Sequence, residues 1–150
     1  MKKLKTVLMA IVVSVTMFSC TSLYDHFTYT ETIQTKLEAL SLMDKSTRPF
    51  SDSENQVVDL KNEMERMVIY ERGKQKNEIT LKMWELISSD EHLMGSYLKL
   101  WEAKGQLNEA FKDEAKPQIE KAFDLMIHYE EQKDKKSENA LTQFINQFIQ

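Results

Sequence analysis

The chain has 150 residues, the length of one domain, with 20 basic and 24 acidic residues and a formal net charge of −4. That balance argues against nucleic-acid binding, which needs clustered Lys and Arg, and a single cysteine excludes an internal disulfide framework. Three glycines and two prolines in a chain rich in Lys, Glu, Leu, Met and Gln leave little material for β-turns and predict an all-α fold.

The first element is a leader. Lys2, Lys3 and Lys5 form a short basic region, and Val7 to Phe18 is apolar apart from Ser14 and Thr16. A transmembrane helix needs about 20 apolar residues. This run is shorter and has the layout of a bacterial export signal. It ends in Met17-Phe18-Ser19-Cys20, which holds the only cysteine. This stretch resembles the lipobox of bacterial lipoproteins, in the relaxed form familiar from lipoproteins of the Bacteroidetes type. Ser19 is the expected small residue before the cysteine. Met17 stands where leucine is usual, and Phe18 is bulkier than usual. The resemblance covers the first 20 residues alone. It implies cleavage before Cys20, a thioether-linked diacylglycerol on its sulfur and an acyl chain on its amino group. Several acyl chains anchor firmly where one does not. Residues 1–19 are then a signal peptide and 20–150 a single helical domain on a short tether. Thr21 takes the place where, in enteric lipoproteins, Asp retains a protein at the inner membrane. This implies the outer membrane. The first acid after Cys20 is Asp25, which favours the periplasmic side. Cleavage removes three lysines and no acids, leaving 17 basic against 24 acidic residues and a net charge of −7. Lipid, rather than a basic patch, is then expected to supply membrane contact.

Thr28–Glu31 has the form of a capping box, and behind it Ile33, Leu37 and Leu40 recur at helical spacing. A helix is expected from about Tyr29 to Asp44. Pro49 interrupts the pattern and Ser51–Glu54 forms a second box. The next helix places Val57, Leu60, Met64, Met67 and Val68 on one stripe. Gly73 either ends it or bends it, since the stripe resumes at Ile79, Met83, Leu86 and Ile87. Ser88–Glu91 is a third box, opening a helix with Met94, Tyr97, Leu98 and Trp101 on one face. Gly105 weakens its end, and Pro117 suits the first turn of the following helix. Ile119, Ala122, Phe123, Met126 and Tyr129 line that helix. The charged run Glu130–Asn139 is either a solvated helix or a hinge. These elements predict a small antiparallel bundle of four to five helices.

Little in the sequence carries chemistry. No HExxH, CxxCH, GxSxG or glycine-rich phosphate loop is present, and no His follows a Glu by three residues as in di-iron bundles. Asp124 and His128 sit one turn apart and are the weak metal candidates, but two ligands do not make a site. Serines are expected in capping boxes. Met43, Met64, Met67, Met83, Met94 and Met126 suit core filling, with a metal- or ligand-binding groove as the alternative. Lys104–Phe111 resembles a tetratricopeptide-repeat fragment, with Gly105 and Ala110 five apart. No 34-residue recurrence accompanies it, so close helix packing explains it better. At the end of the chain, Phe144, Ile145, Phe148 and Ile149 form an apolar stripe. It either docks on the bundle or contacts a partner.

The expectation is a membrane-anchored envelope lipoprotein acting as a non-catalytic helical scaffold or adaptor. Its partners are envelope proteins and the membrane, with no nucleic acid, no small-molecule substrate and no cofactor beyond the acyl groups on Cys20. An accessory role in an envelope-spanning, secretion-type assembly fits by analogy. The alternative is a periplasmic metal- or ligand-binding bundle.

Overall fold

The computed structural model describes residues 24–149; the expected signal peptide, with Met17, Phe18 and Ser19, and Cys20 lie outside the described residues. The described chain is all-α. Its helices are α1 (His26–Lys45), α2 (Glu54–Arg72), α3 (Glu78–Ser88), α4 (Leu93–Lys104), α5 (Glu109–Gln132) and α6 (Lys135–Ile145), with a 3-10 turn at Phe50–Asp52. Both breaks left open by the patterning are real. Gly73 ends α2, where its amide reaches back to the carbonyls of Ile69 and Tyr70. Lys133, in the left-handed region at φ 49°, separates α5 from α6.

Side-chain pairs give the registers. Thr28 meets Glu71, Glu31 meets Arg66 and Lys45 meets Gln56, so α1 and α2 run antiparallel. Lys36 reaches Asp124 and Asp44 reaches Lys116, so α1 and α5 are also antiparallel. Thr80 to Glu130 and Trp84 to Phe123 set α3 antiparallel to α5. The core these helices enclose holds Trp84, Trp101, Phe123 and all six methionines from Met43 to Met126. Met is therefore core filling, suited to irregular gaps by its flexible thioether. The expected stripes of α2 and α5 are buried throughout, as are Met94, Tyr97, Leu98 and Trp101 of α4.

Several helix starts differ from the sequence reading. α1 begins at His26, because Asp25 caps it by accepting from the amides of Phe27 (2.9 Å) and Thr28 (3.4 Å). Thr28 lies inside the helix. The inner face of α1 is Thr28, Thr32, Thr35, Ala39, Leu42 and Met43, whereas Leu37 is 62% exposed. The threonines tolerate burial because Thr32 and Thr35 donate to the carbonyls four residues back, at 2.7 and 2.8 Å. Ser53, rather than Ser51, precedes α2, and it does not cap through its side chain. The Ser88–Glu91 box opens no helix: Ser88 ends α3 and His92 precedes α4. Asn108 caps α5 by accepting from the Phe111 amide (2.8 Å), so α5 starts two turns before Pro117. Pro117 and Asp113 lie on its exposed side, where water can serve the carbonyl that proline leaves unpaired.

Gly105 does not bring helices together. It ends α4 in the left-handed region at φ 72°, with open space where a Cβ would lie. The close approach is at Gly95, where a Cβ would collide with the backbone carbonyls of Ser88 and Ser89.

Candidate functional site

The two ends of the bundle are built differently. At the far end, hydrogen-bonded loops meet. The Phe50 amide donates to the Gly105 carbonyl (2.6 Å), the Leu107 amide to Ser46 (2.9 Å), and the Trp101 indole to Arg48 (3.2 Å). The Ser46 and Tyr97 hydroxyls share a buried hydrogen bond of 2.6 Å.

The near end, where α1 begins, holds a buried ionic cluster. It gathers the start of α1, the end of α2, the α2–α3 loop, the start of α3 and the α5–α6 junction. Glu71 is 1% exposed and Glu130 0%. Thr28 donates to Glu71, as does the side-chain Nδ2 of Asn77, and Lys74 lies 3.1 Å from the same carboxylate. Lys74 also reaches Asp25 at 2.9 Å. Deeper in, Thr80 donates to Glu130 (2.6 Å), and the other Glu130 oxygen lies 2.6 Å from Lys133, whose ammonium also covers the Tyr129 ring. A buried carboxylate is tolerated only when paired and hydrogen-bonded, and both meet that condition.

The electrostatics follow from depth. Burial pushes the Glu71 carboxyl up, against the Thr28 hydrogen bond and the Lys74 cation, and the nearby Glu130 charge adds to the rise. Burial pushes Asp25 up as well, but hydrogen bonds from Lys74 and Tyr70, with the Lys74 charge, outweigh it and hold Asp25 far below the usual carboxylate range. Lys74, which burial would lower, is raised by Asp25 and Glu71. Burial also pushes the Tyr129 phenol up to about 12.

Aromatic side chains rim this end. Phe27 stacks at a tilt on Tyr70 with ring centres 4.7 Å apart, and Arg66 lies over Phe27. Tyr24 packs near His26 and Tyr29, and the Tyr70 hydroxyl donates to Asp25 at 2.9 Å. Tyr24, Phe27, Ile69 and Tyr70 are all exposed. Along the outside of α1 and α2 runs an open groove of about 420 Å³, lined by Leu37, Ser41, Leu42, Gln56 and Asp59.

The remaining sequence candidates are dispersed. Asp124 is tied to Lys36 at 2.6 Å, and His128 lies 4.0 Å from Glu131 on the surface. Among the described residues, no three His, Cys, Asp or Glu side chains gather where they could hold a metal ion. Phe144 and Ile145 are each 3% exposed and belong to the bundle's own core. Phe148 packs between Phe144 and His92, and Ile149 is exposed. No helix among the described residues is long and apolar enough to cross a membrane. Sequence reasoning missed the ionic cluster. The one readable sign was the spacing of Thr28, Thr32 and Thr35, which places three hydroxyls on one helical face.

Searches of protein-family models, curated proteins and solved structures find no match to this chain.

Proposed function

We propose that the chain is an envelope lipoprotein held by acyl groups on Cys20, facing the periplasm from the outer membrane. Its bundle acts as a non-catalytic scaffold or adaptor through protein–protein contacts. The observation that carries this reading is a spacing. The lone cysteine closes an export-type leader, and a firmly capped helix begins five residues further on, at Asp25 and His26. Such a chain passes from anchor to folded body almost without a linker. An envelope-spanning assembly of the secretion type is the class of complex that a small anchored adaptor would serve. The α1–α2 groove, with exposed Leu37 on its wall, is the surface that best suits a partner helix.

Crosslinking in intact cells followed by recovery of the acylated chain tests the proposal. A defined envelope complex that is lost on Leu37→Glu supports it. A chain recovered only as a monomer contradicts the adaptor role.

A further inference from the structure

The cations of the near end are held by acids. Lys74 and Lys133 are turned onto the buried carboxylates, Arg72 is paired with Glu85 and Lys135 with Glu138. Exposed Tyr24, Phe27, Ile69 and Tyr70 share that end. Aromatic rings beside cations suit the headgroup layer of a bilayer, where the ring body is apolar and the hydroxyl stays wet.

The chain itself supplies the occupant. From Cys20 to Asp25 a fully extended backbone spans only about 18 Å. An acyl group at Cys20 keeps this end, and not the far end, within reach of lipid. We infer that the near end of the bundle is a membrane-contact face that rests on a phospholipid surface. Ile69, Tyr70 and Phe27 reach the headgroup layer, and α1 and α5 point away from the bilayer. The acyl chains anchor the protein, and this face orients it. The inference rests on the acylation of Cys20 proposed above.

Ile69 and Leu37 allow a matched test, since each is 62% exposed and they lie at different heights along the bundle. The full acylated chain carrying Ile69→Trp or Leu37→Trp is floated with phosphatidylglycerol-containing vesicles that include brominated phosphatidylcholine. Tryptophan quenching is then read. The native Trp84 and Trp101 are buried in the core and serve as a constant background. The expected result is quenching with Ile69→Trp and none with Leu37→Trp. A floated Ile69→Trp chain without quenching overturns the membrane face, and dimers crosslinked through position 69 would assign that face to a second copy instead. A chain that does not float at all overturns the acyl anchor, and this inference with it.

Discussion

The Thr28 hydroxyl, on the first turn of α1, donates a 2.5 Å hydrogen bond to Glu71 on the last turn of α2. It joins two helices inside the bundle end that also receives Lys74, Asn77 and, through its charge, Glu130. Replacing Thr28 with Val keeps the shape and removes the donor. The expected cost is about 1–2 kcal/mol in urea unfolding, because a buried carboxylate loses a partner. An unchanged midpoint would show that the hydroxyl is dispensable.

Glu71 also sets a pH dependence. Its folded pKa is raised above the ordinary 4.5, so the folded chain holds that proton more tightly than the unfolded chain. The resulting stability is fully present below 4.5 and is lost as pH rises through the raised folded value. Against a Glu71→Gln reference, the wild type should therefore lose relative stability as pH climbs from about 4 towards neutrality. A flat or opposite difference curve would reject this account of the cluster.

Asp25 behaves with the opposite sign. Its folded pKa lies below the ordinary 3.8, so its contribution is present above that value and is lost as pH falls beneath it. Asp25→Ala removes the α1 cap and the Lys74 partner together. It should cost roughly 1–2 kcal/mol at neutral pH and blunt acid unfolding. Hydrogen exchange at the start of α1 would report the fraying locally.

The three glycines should separate cleanly. Gly95→Ala forces a Cβ against the carbonyls of Ser88 and Ser89, and overpacking of this kind costs about 1–3 kcal/mol or more. Gly105→Ala has space but must hold φ 72°, at a cost of about 1–2 kcal/mol. Gly73→Ala meets neither problem, with φ −74° and ordinary contacts, and should be close to neutral. Thermal melts of the three variants give the ranking directly.

Truncation after Asn139 removes Leu141, Phe144 and Ile145 from the core. Each such side chain contributes about 1.5–3 kcal/mol on burial, and a whole domain is stable by only about 5–15 kcal/mol. The truncated chain should melt far below the full one by circular dichroism. An unchanged melt would mean that these residues are held for a partner.

How much of this was readable in the sequence depends on which physical rule decides each position. The stripes of α2 and α5 were legible because each helix buries one apolar face. α1 was not, since it buries threonines that bond to their own backbone and leaves Leu37 outside. The capping boxes misled because hydroxyl–x–x–acid spacing also arises where other residues hold the amides, as Asp25 and not Thr28 does at α1. Pro117 misled at α5 because proline on an exposed face can sit inside a helix, which Asn108 opens two turns earlier. The ionic cluster was illegible because Glu71 and Glu130 lie in charged stretches that look solvated in sequence. Only the antiparallel registers bring them to the same end.

The most direct test of the central claim is the mass of the N-terminal peptide, measured together with fractionation of wild-type and Cys20→Ala cells. Acylation at Cys20 predicts a wild-type chain in the membrane fraction that begins at Cys20 and carries the diacylglycerol and N-acyl groups. It also predicts a Cys20→Ala chain that is lost from that fraction. A Cys20→Ala chain that stays membrane-bound, or a wild-type chain that keeps residues 1–19 with an unmodified thiol, would contradict it.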